Sequence, residues 1–274
     1  MIKLCDDRCE IEEIILYIGK EYKKTPYFYV NVVKYGIKNE NVKVWIDREE
    51  EILGAYLLYY DCLHFYTRNM ESYDCEKILA MINKINPKVI MVQGGFGQRI
   101  ESMLSSDFDV EKNYVIDMDG VNYEDKEYKS ELALEKDVEA IADLLLTDSE
   151  YVDVYNRGVL IQQLRDRYND GFGRMVVVRQ DNKIVATCST YGEVAGFALV
   201  GGVMVHKDYR RRGLAADVEN YICIILAKDN ISSVGFVNYN NTPSLNLHEK
   251  LGAVKISNLY KFVRKNDWNN IEVI

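Results

Sequence analysis

Three consecutive arginines, Arg210, Arg211 and Arg212, stand directly before Gly213, Leu214, Ala215 and Ala216 in the stretch VHKDYRRRGLAADV. An apolar strand pattern, FALVGGVMVH, precedes them, and a stripe at helical spacing, Leu214, Val218, Tyr221, Ile222 and Ile225, follows. A strand that turns tightly into a helix leaves the first helical N–H groups unpaired and pointing at the turn. Gly213 lets a ligand approach the backbone, the two alanines keep side chains clear, and guanidinium groups at the rim add bidentate partners. Such an end binds anions, and a pyrophosphate fits the description. The helix begins without an ordinary capping side chain, as one capped by a ligand would.

A second stretch, NNTPSLNLHEKLGA, places Ser244 and His248 one turn apart on one face of a short helix, with Leu247 and Leu251 on the core side. An imidazole with an ordinary pKa near 6.5 gives up a proton far more readily than a phenol near 10. His248 therefore reads either as a proton donor or as a residue that fills volume and caps a carbonyl. The pair Gly201-Gly202 suits a bulge or a close backbone approach within its strand. Glu193, in STYGEV, is the carboxylate nearest to that strand in sequence and reads as a base or as a solvated loop residue.

The elements that must position these residues are legible in the second half. The order expected is the strand ELALE, a helix capped by Asp137, and a second helix, GVLIQQLRDRYND, stopped by Gly171. The strands RMVVVRQ, KIVATCSTYG and FALVGGVMVH come next, the first two joined by a tight turn at Asp181-Asn182. After the arginines come a helix, the strand SSVGFVN, the helix PSLNLHEKL ended by Gly252, and a final strand pair through AVKISNLYKFVR. The first half reads as strands (VKVWID, ILGAYLLYYDCLHFYTR) and then helix-strand units: CEKILAMINKI, KVIMVQG, QRIESMLSS and YVIDMDG. The polar segment GVNYEDKEYKS has no apolar period and is the expected linker, giving domains at 1–122 and 128–274.

Composition excludes several classes. With 274 residues, 48% hydrophobic, 28% charged and three prolines, the chain is a folded globular one. A formal charge of −9 argues against nucleic acid and suits a cationic substrate. The six cysteines form no CxxC pair, which points to buried thiols in a reducing cytoplasm and to no metal. Neither an apolar signal core nor an eighteen-residue apolar run occurs, so neither export nor a membrane span is expected.

Residues 129–265 resemble the GNAT superfamily of acyl-CoA-dependent N-acyltransferases. Arg210, Gly213 and Ala215 match the family's [QR]-x-x-G-x-[GA] pyrophosphate loop, with Lys207 where a proline is usual, and Asn241, Ser244, His248, Glu249, Lys250 and Gly252 match its N-x-x-A-x-x-L-Y-E-K-x-G-F stretch. The two-domain relatives with a glycine N-acyltransferase-like C-terminal half are the most similar in flavour. The resemblance implies a mixed α/β (α+β) GNAT fold in the C-terminal half and acetyl-CoA or a short acyl-CoA as cosubstrate. The implied acceptor is a primary amine of a small molecule or amino acid, handled by a monomer or homodimer. It implies a cofactor site of Val203, Met204, Val205, Arg210, Arg211, Arg212, Gly213, Leu214, Ala215, Ala216, Asn238, Asn241, Ser244 and His248. In the family the position of His248 is usually a tyrosine beside the CoA sulfur, so His248 is the expected acid; the usual strand glutamate is replaced near Gly201, which leaves Glu193 as the expected base. The alternatives are a non-catalytic acyl-CoA sensor and a tandem-GNAT aminoacyl transferase. The N-terminal half, where QGGFGQR resembles a faded copy of the loop, reads either as a degenerate GNAT-like domain or as a mixed domain walling the acceptor cleft.

Overall fold

The computed structural model describes residues 1–121, 127–152, 156–194 and 196–265. The chain divides into two compact units, Met1–Val115 together with the chain from Ile256, and Ile116–Lys255. The centre of the expected linker, 122–126, lies outside the described residues. The division differs from the expected one because the last strand rejoins the first unit, pairing Leu259 with Gln93 and Val263 with Val89.

The first unit begins with β1 (Ile2–Leu4) and two helices, α1 (Arg8–Ile18) and α2 (Pro26–Lys34). It continues through β2 (Val42–Arg48), β3 (Ile52–Tyr59), β4 (Cys62–Tyr66), α3 (Cys75–Ile85), β5 (Val89–Gln93), α4 (Gly94–Leu104) and β6 (Phe108–Asp117). Sequence reading missed α1 and α2. The stretch PYFYVNVVK is rich in aromatic and β-branched residues, which favour strands, and tertiary packing overrides that preference: Ile14, Ile18, Phe28 and Val32 bury one face against Leu57 and Tyr66. Strand order is β1-β2-β3-β4-β5, and β4 and β5 run parallel with α3 as the crossover. The other sheet face is covered by α3 and α4 through Ile78, Ile82, Phe96 and Ile100.

The second unit runs β7 (Ser130–Leu132), α5 (Val138–Leu145), α6 (Ser149–Val152), α7 (Arg157–Asn169), β8 (Met175–Gln180), β9 (Lys183–Val194) and β10 (Phe197–Val205). Then come α8 (Leu214–Lys228), β11 (Ser232–Asn238) and α9 (Thr242–Leu251), after which β12 (Val254–Arg264) returns the chain to the first unit. The order β7-β8-β9-β10-β11 is antiparallel except for the parallel pair β10 and β11. Asp181 and Asn182 both take positive φ, 50° and 61°, which closes the expected hairpin turn. Two expectations fail. Asp137 does not cap α5: its Oδ2 accepts from Leu134 N at 2.8 Å and from Arg179 at 2.5 Å instead. The final segment is one strand, β12, and not a pair.

The glycines of QGGFGQR serve packing. The segment follows β5 and opens α4, so it takes the place that α9 takes after β11, while the counterpart of the arginine loop is the stretch after β4. A Cβ on Gly94 would fall 2.4 Å from Asn258 Cβ, and one on Gly97 2.6 Å from Tyr260, so both positions admit only glycine against β12.

Candidate functional site

The parallel ladder of β10 and β11 runs from Phe197↔Ser232 to Val200↔Gly235 and ends there. Beyond it β10 leaves register with β9 between Gly201 and Met204, where Gly202 and Val203 stand opposite the single residue Cys188. This bulge is where Gly202 takes φ +64°, and a Cβ on it would lie 2.4 Å from the Tyr191 hydroxyl. Past the bulge the two strands diverge, and the gap is the floor of a cleft of about 560 Å³. Ligands of open α/β sheets bind outside the carboxyl ends of such strands.

Helix α8 ends at this cleft. Its N-cap is Gly213 at φ +76°, with no side chain bonded to the first N–H groups and nothing within 4 Å of a built Cβ. Glycine is therefore required by conformation and not by crowding. Arg210, Arg211, Gly213, Leu214, Ala215 and Ala216 line the cleft, as do Val203, Met204 and Val205 from β10 and Asn241, Ser244 and His248 from α9. Arg211 takes φ +61°, one more left-handed residue in the turn. Arg210 is held by its Nε donating to Val205 O at 3.1 Å.

Three expected residues lie elsewhere. Arg212 turns away, donating to Asp208 O at 3.0 Å with its guanidinium 4.9 Å over the Tyr209 ring. Asn238 accepts from Asn240 N at 2.9 Å and stabilises the turn after β11. Glu193 does not line the cleft: it is paired with Arg174 at 2.9 Å and accepts from the Thr190 hydroxyl at 2.6 Å. Its carboxylate is engaged by Arg174 and Thr190, outside the cleft lining.

The acid-base group of the cleft is a pair. His248 Nδ1 lies 2.7 Å from Ser244 O, a carbonyl that can only accept, so Nδ1 carries a proton. Its Nε2 lies 2.6 Å from Glu219 Oε1, and the two side chains are 8% and 0% exposed. No other described group pairs with the Glu219 carboxylate, so His248 is its partner. Burial lowers the His248 pKa, but Glu219 and the Ser244 carbonyl outweigh it and hold the ring above its ordinary value. Glu219 was not anticipated, although a signal existed. It falls three and seven residues before Ile222 and Leu226, on the buried stripe of α8, where an unpartnered carboxylate would not be tolerated. Ser244 N donates to Asn241 Oδ1 at 3.1 Å, which caps α9 and fixes the helix that carries His248.

Asp148 and Tyr151 complete the lining, with the Tyr151 hydroxyl 3.0 Å from that of Tyr191 and the Arg167 guanidinium 4.9 Å over the Tyr191 ring. Behind the floor, the Cys188 thiol on β9 faces Gly201 O at 3.7 Å. Burial and then the charge of Glu219 raise its pKa well above the ordinary thiol value. Four other cysteines are buried or partly buried, whereas Cys9, expected inside, is exposed and free. Among the described residues no helix is long and apolar enough to cross a membrane.

No curated protein matches this sequence. The likeness to solved structures extends over nearly the whole chain. A Drosophila protein aligns over 96% of this chain and 98% of its own, at 12% identity and a TM-score of 0.67. A GCN5-related N-acetyltransferase from Sphaerobacter thermophilus aligns over 96% and 95%, at 12% identity and 0.63. A tandem GNAT protein from the clavulanic acid biosynthesis pathway aligns over 96% and 98%, at 12% identity and 0.61. At such identities the likeness establishes the fold. Residues 138–253, from the start of α5 to just past α9, match the acetyltransferase (GNAT) family. The segment that builds the cleft is thus a GNAT acetyltransferase-family domain, carried in a chain of mixed α/β fold.

Proposed function

We propose that the chain transfers an acetyl or short acyl group from acetyl-CoA to the primary amine of a small molecule or amino acid. The observation that carries this reading is the start of α8, left without a side-chain cap beside Arg210 and Arg211 and opening onto the fork of β10 and β11. The residues fit the cosubstrate: the first N–H groups of α8 and the two arginines would hold its pyrophosphate, and the Val203 and Val205 backbone its pantetheine arm. When bound it supplies an acyl group activated as a thioester.

The chain's own contribution is placement of charge and protons. Glu219 stabilises the imidazolium of His248, so that a proton is held at Nε2 beside Gly235 on the cleft floor. That proton is the one a departing thiolate would take up. Backbone N–H groups of the bulge around Met204 supply donors for charge developing on the acyl oxygen.

Incubation of the protein with acetyl-CoA and a panel of primary amines, with free thiol followed over time, tests the reading. Amine-dependent thiol release supports it. A second reading, a non-catalytic acyl-CoA sensor, draws on the pairing of Glu193 with Arg174 outside the cleft lining. Tight acetyl-CoA binding in calorimetry without thiol release for any amine would favour the sensor.

A further inference from the structure

The first unit contains an opening of the same kind, on which the acyl-transfer reading does not depend. Strands β4 and β5 pair in parallel from Cys62↔Val89 to Phe65↔Val92, so Tyr66 and Gln93 stand where the ladder ends. Strand alternation sends both side chains to the face that also carries His64, the face covered by α1 and α2. There a cleft of about 440 Å³ is lined by Lys20, Glu21, Tyr66, Thr67, Arg68 and Gln93.

Two of these side chains are deeply buried and short of partners. Gln93 is 4% exposed and Tyr66 0%, yet the Gln93 Oε1 makes no hydrogen bond among the described residues, and the Tyr66 hydroxyl has at most the Arg68 guanidinium beside it. Leaving such atoms unpaired is costly, and native structures pair them with protein, water or ligand. The position repeats the rule that small molecules bind beyond the carboxyl ends of parallel strands.

The donor set specifies the ligand. Burial pushes the Tyr66 phenol up to about 12, with Arg68 offsetting part of the rise, so it stays an O–H donor. The Arg68 guanidinium, at an exposed position 5.1 Å over the Tyr17 ring, forms no ion pair among the described residues and can meet an anion in the cleft. The charge of Glu21 is already met by Lys24 at 2.8 Å. A cation and an O–H donor call for a carboxylate, and Gln93 Oε1 calls for a donor on the same molecule. A CoA pyrophosphate has no place here: α3, the helix after β4, is closed by Asp74, whose carboxylate accepts from Glu76 N at 2.9 Å.

We propose that this cleft binds a small carboxylic acid bearing an N–H or O–H donor next to the carboxyl carbon, the chemistry shared by α-amino and α-hydroxy acids. Arg68 and Tyr66 take the carboxylate and Gln93 Oε1 takes the donor. The full chain would be titrated in a calorimeter with the twenty amino acids, glycolate and lactate, with acetate and propionate as acids lacking the donor. At least one amino or hydroxy acid should bind with a Kd below about 10 mM, and at least tenfold more tightly than the acid lacking its donor; which arm binds identifies the source. Arg68→Ala, at an exposed position, should weaken that binding tenfold or more, and Gln93→Leu should do likewise, while acetyl-CoA affinity is unchanged in both. No member of the panel binding below 10 mM would overturn the proposal and leave the cleft to water. Binding that survives Arg68→Ala would overturn it too, by locating the acid elsewhere. A loss of acetyl-CoA affinity in Arg68→Ala would overturn it by assigning the cleft to the nucleotide.

Discussion

Helices α8 and α3 each follow the strand at which a parallel ladder opens, β10 in one unit and β4 in the other. Helix α8 starts at Gly213 with no side chain on its first N–H groups, whereas α3 starts at Asp74, which satisfies Glu76 N with its own carboxylate. The charges diverge in the same sense. Arg210 and Arg211 border the first opening, while Glu71, Asp74 and Glu76 crowd the start of the second helix. Topology thus opens a parallel ladder in both units, and on the readings proposed above a handful of residues at the helix start decides whether a pyrophosphate can be held there.

The comparison can be broken at its strongest point by Gly213→Val. A β-branched residue resists φ +76°, at a cost of about 1–3 kcal/mol, so acetyl-CoA affinity should fall by up to about 100-fold while circular dichroism is unchanged. Unaltered affinity would mean that the bare helix end is not what binds.

Next in size is the pair that has no equivalent in the first unit. His248→Phe should reduce turnover roughly 10- to 100-fold with little loss of acetyl-CoA affinity, measured where chemistry is rate-limiting. Glu219→Gln should keep part of the rate but shift its alkaline decline to lower pH, since the carboxylate that raises the His248 pKa is gone. The same group sets a stability trend. Because the folded-state pKa lies above the ordinary value near 6.5, the pair stabilises fully below that pH, and its contribution is lost as pH rises through the folded value. Melting temperatures across that window should therefore fall less in Glu219→Gln than in the unmodified chain.

Smaller again is Asp74→Ala, which should cost about 1 kcal/mol of stability in chemical denaturation and leave acetyl-CoA binding untouched. A gain of acetyl-CoA affinity for the first unit would show that the cap alone excludes it. The smallest effect belongs to Arg212→Ala. Since Arg212 is turned onto Tyr209 and Asp208, acetyl-CoA affinity should change less than about twofold, against roughly tenfold for Arg211→Ala.

The second unit was readable in the sequence because its signals are local. Hairpin turns, the glycine pair in β10 and the apolar stripe of α8 each constrain one short segment, and the order of elements followed from them. Helix α2 was hidden, since residues such as Tyr27, Tyr29 and Val33 carry strand preference and tertiary packing overrides it, whereas α1 was legible and overlooked: Asp7 caps it and Ile11, Ile14, Ile15 and Ile18 fall at helical spacing. Site residues divide in the same way. Gly213, Ala215 and Ser244 belong to contiguous motifs and line the cleft, but the pairing of Glu219 with His248 joins two helices 29 positions apart in sequence. Glu193 misled because closeness in sequence says nothing about Arg174, which meets it across the start of β8. The exchange of the last strand into the first unit was likewise invisible, because a strand's own pattern does not name its neighbour.

Cys188 has a consequence for the order of events in acyl transfer. If the cleft takes a thioester, as proposed, a thiol just behind its floor invites exchange, in which the acyl group would stop on the protein and the acceptor be served in a second half-reaction. Only the thiolate attacks, and burial together with the Glu219 charge keeps Cys188 in the thiol form. The same carboxylate that stabilises the imidazolium of His248 therefore also disarms the competing nucleophile. On the proposed function the acyl group then passes directly to the amine, both substrates must be present together, and the kinetics should be sequential, without a burst of acylated protein.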